Sequence, residues 1–202
     1  MKRSEINHLI LASAEFFNTM NFRLPPWAFR KPAEWKNKSD ICREVIDNQL
    51  GWDITDFGGG DFRKSGLILF TIRNGNPLKD QKPYAEKIMI VEEGQETPLH
   101  FHWHKMEDII NRGGGNLILE LYCSEKNGEP GSQPVQFRTD GVLQTVPPGG
   151  RVILKPGESI CLEPGVYHRF YGEPWKGKVL VGEVSAVNND QSDNKFYNPV
   201  GR

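Results

Sequence analysis

The spacing of apolar residues predicts an amphipathic helix at the start of the chain. Between residues 4 and 20 these residues recur at steps of three and four, which is the period of one helix face. The predicted buried stripe consists of Ile6, Leu9, Ile10, Ser13, Phe17 and Met20. Ser4 is placed to cap this helix. Leu24-Pro25-Pro26 ends it, because proline cannot continue a helix.

A second, short helix is predicted after Ser39, and Gly51 is placed to end it. Its predicted buried side consists of Ile41, Val45, Ile46 and Leu50. Together the two helices predict that residues 1–50 form a helical extension.

The pattern changes after residue 51. Apolar runs become short, and turn residues such as Asn74-Gly75-Asn76-Pro77 and Pro156-Gly157 separate them. Many short strands with regular turn chemistry are typical of a β-sandwich or β-barrel. The predicted strands are 66–73, 85–92, 99–103, 108–111, 116–123, 135–138, 151–154, 159–162, 168–172 and 179–187. Gly113–Gly115 is predicted to form the tight turn between two of them. We therefore expect an all-β domain over residues 51–202.

Composition narrows the function classes. The chain has 202 residues with 25 Lys+Arg and 26 Asp+Glu, so it lacks the basic surplus that nucleic-acid binding requires. No stretch approaches the ~18–20 apolar residues of a membrane span, and no membrane partner is expected. Cys42, Cys123 and Cys161 show no disulfide or zinc spacing, which favours a reducing, cytoplasmic location.

Three histidines are packed into the segment His100-Phe101-His102-Trp103-His104. Residues i and i+2 of a strand share a face, so His100 and His102 project the same way. A tight turn and a return strand can bring Glu107 beside them, and His168 is available as a further ligand. Such a mixed N/O set suits Mn²⁺, Fe²⁺, Co²⁺, Ni²⁺ or Zn²⁺. An isolated His-x-His pair more often consists of ordinary core or surface histidines than of metal ligands.

The wider spacing resembles the two motifs of the cupin superfamily. The first motif is carried by Gly94, His100, His102, Glu107 and Gly114, and the second by Gly157, Pro164, Gly165 and His168. The match departs after His168, where the usual asparagine is replaced; that asparagine is not a metal ligand. The resemblance implies a cupin jelly-roll β-barrel with an N-terminal helical extension, and one metal ion in the mouth of the barrel.

A longer segment, 98–116, resembles the D-lyxose isomerase family of bacterial cupins, as does the tail 182–190 with Asp193, Asn194 and Phe196. This resemblance implies a metal-dependent aldose–ketose isomerase, usually manganese-using, that interconverts D-lyxose and D-xylulose. D-mannose and D-fructose are a related pair. It also implies a free sugar as partner, with His100, His102, Glu107 and His168 as metal ligands. Barrel cupins often pair, so a homodimer is expected.

Aldose–ketose isomerisation moves a hydrogen between C2 and C1, either as a proton through an enediol or as a hydride, and the sequence leaves this choice open. The proton route requires a base and a second group that shuttles protons. Lys105 is one candidate, because burial beside a divalent cation would lower its pKa; a solvated turn lysine is the alternative. Glu183 interrupts an apolar strand, and the resemblance favours an interior general base over a solvent-facing residue. Glu107 is a further catalytic candidate besides its role as a ligand.

Four residues are candidates for sugar contacts: Lys87, His104, Asp193 and Phe196. Lys87 either reaches a sugar hydroxyl or faces outwards from its strand. Asp193 could accept hydrogen bonds from hydroxyls, and Phe196 could pack against the sugar carbons. His104 shares the face of the other two histidines if the strand continues that far.

Two other function classes stay open at this stage. An iron-dependent cupin dioxygenase would use the same ligand set, and a sugar-binding cupin without catalysis would need no base. A phosphosugar isomerase is disfavoured, because no Arg/Lys cluster that would bind a phosphate lies near the motifs.

Overall fold

The computed structural model describes residues 1–36, 38, 40–189 and 192–201. Ser39, from which the sequence predicted the second helix, lies outside the described residues. Asp190, at the end of the family-like tail segment, also lies outside them.

The first helix, α1, spans Arg3–Thr19 and buries Ser13 and Phe17 from the predicted stripe. Its cap is Lys2 rather than Ser4, which the sequence had suggested. The reason is that the backbone N–H of Lys2 donates to the Glu5 carboxylate at 2.6 Å, so the helix starts earlier. Two 3₁₀ helices follow, at Pro26–Phe29 and Pro32–Trp35.

The second helix, α2, is only five residues long, Arg43–Asp47. Ile41 and Ile46 were predicted to be buried but are 82% and 60% exposed, because this short helix does not lay its apolar side on the sheet. Gly51 does not end α2 either, since it begins the first strand. The end is formed by Gln49, whose φ of 55° lies in the left-handed region.

The part of the chain that the structure describes contains thirteen strands. They are β1 Gly51–Thr55, β2 Leu67–Arg73, β3 Tyr84–Val91, β4 His100–His102, β5 Glu107–Gly114, β6 Leu117–Cys123, β7 Val135–Thr139, β8 Val142–Val146, β9 Gly150–Leu154, β10 Ser159–Leu162, β11 Val166–Gly172, β12 Val179–Ala186 and β13 Asn194–Phe196. The ten predicted strands are all present, with ends shifted by up to three residues. β1, β8 and β13 were not predicted; β8 has no buried face, so its sequence does not alternate.

These strands form two antiparallel sheets. One has eight strands in the order β1-β2-β3-β12-β5-β10-β7-β8, and the other has five in the order β13-β4-β11-β6-β9. A core of apolar side chains from both sheets lies between them, including Met89, Val181, Leu119 and Phe170. The all-β fold with an N-terminal helical segment agrees with the sequence prediction.

The N-terminal segment covers the outer face of the eight-stranded sheet. Phe17 and Leu24 pack there against outward-facing residues of three strands. Those residues are Ile68, Phe70, Ile88, Ile90 and Leu180. β3 therefore has apolar side chains on both faces, which explains why its sequence is a nearly continuous apolar run.

The glycine run was predicted to be a turn, but Gly113 and Gly114 lie within β5. Their φ angles are 144° and 89°, and the pairing of β5 with β12 shifts register beside them, between Leu180 and Val181. A Cβ on Gly114 would lie 2.2 Å from the Lys178 carbonyl oxygen. Glycine is thus required for a β-bulge rather than for a turn.

Two predictions from composition can be compared with the structure. Cys42, Cys123 and Cys161 are all free thiols. Over the described ranges, no helix has both the length and the apolar character needed to cross a membrane.

Candidate active site

A cavity of about 410 Å³ lies between the two sheets. Its ionisable lining consists of Lys87, His100, His102, Lys105, Glu107, His168, Glu183 and Asp53. An apolar wall is formed by Leu67, Leu69, Met89, Ile109 and Phe170. All seven residues predicted as metal ligands or catalytic groups, or as the Lys87 sugar contact, are therefore brought together here.

The three predicted imidazole ligands come from two paired strands. His100 and His102 lie on one face of β4, and His168 on β11 is directly opposite His100. One ring nitrogen from each lies within 4.8 Å of the others. This is close enough for the three nitrogens to bind one ion.

Backbone carbonyls fix the orientation of two of these rings. The Nδ1–H of His100 donates to the Pro98 carbonyl at 2.8 Å, and that of His168 donates to the Val166 carbonyl at 3.0 Å. Both Nε2 atoms then carry a free lone pair, which is the form that binds a metal. Burial, together with the nearby His168 and His102 rings, holds the pKa of His100 well below its ordinary value.

Glu107 completes this group of donors. Its Oε1 lies 3.4 Å from Nε2 of His102 and 3.0 Å from Nε2 of His168. The His168 contact lacks hydrogen-bond geometry, and Nε2 of His168 finds no hydrogen-bond partner in the described part of the chain. A nitrogen lone pair thus faces a carboxylate oxygen in a buried site. A cation between them would satisfy both, so the donor set fits a divalent metal.

The opposite side of the cavity is a cluster of paired charges. Nζ of Lys105 lies 2.7 Å from Oε2 of Glu107 and 2.9 Å from Oε1 of Glu183. Nζ of Lys87 lies 3.1 Å from the same Glu183 oxygen. Lys87 and Glu183 face each other on the adjacent strands β3 and β12, so the sheet register itself forms this pair. The four side chains carry no net charge together.

These contacts decide the protonation of the cluster. Burial alone would lower the pKa of Lys105, but the carboxylates of Glu107 and Glu183 outweigh it and raise that pKa. These carboxylates favour the ammonium form of Lys105, and the sequence-based expectation of a pKa lowered by a bound divalent cation stays a prediction. Burial would raise the pKa values of Glu107 and Glu183, but Lys105 outweighs it and lowers both. The imidazole of His102 lowers the pKa of Glu107 further, and Lys87 lowers that of Glu183 further.

Asn188 belongs to this cluster and was not predicted. Its Oδ1 accepts hydrogen bonds from Nζ of Lys87 at 2.8 Å and from Nζ of Lys105 at 3.3 Å. Its backbone N–H donates to Oδ1 of Asn74 at 3.0 Å, which fixes the residue in place. The residue follows the end of β12, where no periodic pattern indicates the direction of a side chain.

The predicted sugar contacts divide into two groups. Lys87 and Phe196 line the cavity, and the Phe196 ring stacks on His100 with centroids 5.3 Å apart. His104 and Asp193 do not line it. β4 ends at His102, so the exposed His104 does not share the face of the other histidines. The buried Asp193 carboxylate instead accepts the backbone N–H groups of His104 at 2.8 Å and Lys105 at 3.0 Å.

The cavity thus combines donors for a cation, a buried carboxylate and two ammonium groups around a space of small-molecule size. A sequence profile described as D-lyxose isomerase matches residues 1–202. The chain belongs to the D-lyxose isomerase family.

Two members of the D-lyxose isomerase family are close relatives. Proteins named D-lyxose/D-mannose isomerase from Serratia proteamaculans and Escherichia coli O157:H7 are 49% and 48% identical to this chain. Both matches cover 100% of this chain and 90% of the relative. The protein is therefore an aldose–ketose sugar isomerase. This sets aside the dioxygenase and the non-catalytic sugar-binding protein that the sequence had left open.

Solved structures show the same fold as this D-lyxose isomerase family member. The L-ribose isomerase of Cellulomonas parahominis, solved with L-ribose, has a TM-score of 0.63 at 16% identity and covers 98% of this chain and 93% of its own. The L-ribose isomerase of Geodermatophilus obscurus has a TM-score of 0.64 at 15% identity, covering 97% and 92%. At such identities the likeness concerns the fold alone. The predicted cupin-type barrel with a helical extension is confirmed.

Proposed function

We propose that the protein is a divalent-metal-dependent isomerase that interconverts D-lyxose and D-xylulose, and that also accepts D-mannose and D-fructose. One observation carries this proposal: the donors of His100, His102, His168 and Glu107 share one cavity with the Lys105–Glu183 pair. The names of the relatives support the choice of sugars.

His100, His102, His168 and Glu107 would hold the ion, and Mn²⁺ is the proposed one among Mn²⁺, Zn²⁺, Co²⁺, Fe²⁺ and Ni²⁺. When bound, the ion would act as a Lewis acid that stabilises negative charge developing on the sugar oxygens. The facing lone pairs of His168 and Glu107 support this assignment, because only a cation or a proton satisfies both.

Glu183 is the proposed base. Its Oε1 accepts hydrogen bonds from both lysines, whereas its Oε2 has only a 3.5 Å contact with Lys87 and is available to the sugar. The carboxylate removes the proton from C2, which gives the enediol, and returns it to C1. Its buried position keeps the proton from exchanging quickly with water.

Lys105 is the proposed shuttle for the oxygen-bound protons. Its ammonium donates a proton to the oxygen at C1 as the C2 proton leaves, and it recovers one from the oxygen at C2 as the ketose forms. Protons lost and gained then balance over the cycle. This assigns Lys105 as an acid first, in keeping with its two carboxylate partners.

A neutral sugar suits the charges of the cavity. Lys87 and Lys105 are both paired with carboxylates, so no surplus positive charge remains for a phosphate. Lys87 contacts Glu183 and Asn188, which leaves it one N–H for a sugar hydroxyl. Phe196 is placed to pack against the sugar carbons.

Conversion of D-lyxose by metal-stripped and reloaded protein tests this function. Protein reloaded with Mn²⁺ should form D-xylulose from D-lyxose, and D-fructose from D-mannose more slowly. Lys105→Met should retain the metal and lose about 10²–10⁴-fold in turnover, the usual worth of a positioned acid–base group. Equal turnover with and without metal would contradict the metal dependence, and an aldose panel in which D-lyxose stays unchanged would contradict the substrate.

The cytoplasmic location and the homodimer stay proposals. The first rests on the three free thiols, which a reducing compartment preserves. The second rests on the family resemblance, and light scattering of the purified protein measures it directly.

A further inference from the structure

A second cavity, of about 920 Å³, lies next to the catalytic one. It is lined by the 74–83 segment, by 186–189 and by the residues around the end of α2. Within the described part of the chain, the two cavities share Gln49 and Lys105 as lining residues. Gln49 and Lys105, the proposed proton shuttle, therefore both lie where the two spaces adjoin.

The backbone of Gln49 is unusual for its residue type. The residue ends α2: its N–H donates to the Ile46 carbonyl, and the N–H of Leu50 donates to the Val45 carbonyl at 2.9 Å. This is the arrangement in which a helix ends on one left-handed residue, with φ here at 55°. Glycine is the usual choice at such a position, and asparagine is the next.

α1 ends in the same way and provides a comparison within the same chain. Asn21 has a φ of 56°, and the N–H of Phe22 donates to the Phe17 carbonyl at 2.8 Å. Asn21 lines neither of the two cavities. At α1 the chain thus uses a residue that the backbone prefers, whereas at α2 it uses a long amide that the backbone does not prefer.

We infer that Gln49 is a substrate-binding residue that hydrogen-bonds a hydroxyl of the sugar in the catalytic cavity. A side-chain amide both donates and accepts, which suits a hydroxyl. Among the described residues, none forms a hydrogen bond with the side-chain amide of Gln49. The side chain is exposed, and it borders the cavity. This inference rests on the proposed function, and it places one substrate contact on the helical extension rather than on the barrel.

The decisive variant is Gln49→Gly, because glycine relieves the backbone while removing the amide. We expect its melting temperature to be unchanged or higher, and its KM to rise about five- to ten-fold with a smaller change in kcat. Gln49→Ala, which keeps the backbone constraint, should raise KM by a similar factor. The matched control, Asn21→Gly, should leave both KM and kcat as in the wild type.

The KM values of the two Gln49 variants decide whether the amide binds the sugar. A wild-type KM in both Gln49→Gly and Gln49→Ala would overturn the inference. So would a raised KM in Gln49→Ala that glycine restores, because the backbone would then be the cause. The assays use whichever aldose in a panel the wild type converts best. If that aldose is not D-lyxose, the proposed substrate fails, while the role of Gln49 is still tested on the sugar that is converted.

Discussion

The two sides of the catalytic cavity are built on opposite principles. On the histidine side, polar atoms are left unmatched: Nδ1 of His102 and Nε2 of His168 are buried without a hydrogen-bond partner among the described residues. On the lysine side, Lys105 contacts two carboxylates and Asn188, and Lys87 contacts Glu183 and Asn188. The first side has donor atoms that a bound cation would satisfy, whereas the charges of the second side are paired within the chain.

Glu107 belongs to both sides, since its Oε1 faces the imidazoles and its Oε2 faces Lys105. This difference predicts that substitutions on the two sides impair the enzyme in different ways. Loss of a histidine should remove the ion, and loss of Lys105 or Glu183 should leave the ion bound but stop proton movement. The predictions below test this separation.

The largest effect is expected from His102→Ala. Loss of one of the three imidazoles should lower bound metal after dialysis to near background and lower turnover at least about 100-fold. His104→Ala is the matched control, because the exposed His104 lies two residues away and outside the cavity. Metal analysis and turnover of both variants measure this. Full metal content in His102→Ala would contradict the assignment of the histidine side as the metal site.

Glu183→Gln should separate the two sides most clearly. The amide keeps the shape but cannot take the C2 proton, so turnover should fall about 10²–10⁴-fold while metal content stays at the wild-type level. The wild type should exchange the C2 proton with deuterated water only slowly, over many turnovers, and this exchange, followed by NMR, should be lost in the variant.

A control carboxylate lies on the neighbouring strand. Glu86 on β3 forms an ion pair with Arg73 away from the cavity, and Glu86→Gln should keep wild-type turnover. Proton exchange at the wild-type rate in Glu183→Gln would mean that another group is the base.

A smaller effect is expected from Asp193→Ala. The carboxylate fixes the backbone at His104 and Lys105, so its loss should let Lys105 move and lower kcat about ten-fold with little change in KM. Asp193→Asn keeps one acceptor oxygen and should recover part of this loss. A rise in KM alone would instead indicate that Asp193 contacts the sugar, as first predicted from the sequence.

The sequence predicted the two sides unequally well. The histidine side follows from strand periodicity and motif spacing, because His100, His102 and Glu107 are close along the chain and His168 pairs directly with His100. On the lysine side, the Lys87–Glu183 contact joins residues 96 positions apart, and only the sheet register brings them together. The pKa of Lys105 is raised first by Glu107, two residues along the chain, and then by Glu183, whose contact with Lys105 could not be predicted from the sequence.

The tail after β12 was the hardest part to predict. Asn188 and Asp193 lie on segments without a repeating pattern, so nothing in the sequence shows that Asn188 binds two ammonium groups or that Asp193 binds backbone amides. The predicted buried side of the second helix was wrong for a related reason. Four apolar residues at helical spacing suggested burial, but a helix of five residues cannot place them all against the sheet.

The apolar outer face of the eight-stranded sheet has a consequence for how the molecule can be divided. A chain shortened to residues 51–202 would present Ile68, Ile88, Ile90 and Leu180 to water. We expect such a chain to self-associate, because an exposed, continuous apolar patch of this kind favours contact with other apolar surfaces. The boundary near residue 50 therefore marks a change in sequence character rather than a place to cut. The segment before it shields the sheet at one end and supplies Gln49 to the cavity at the other.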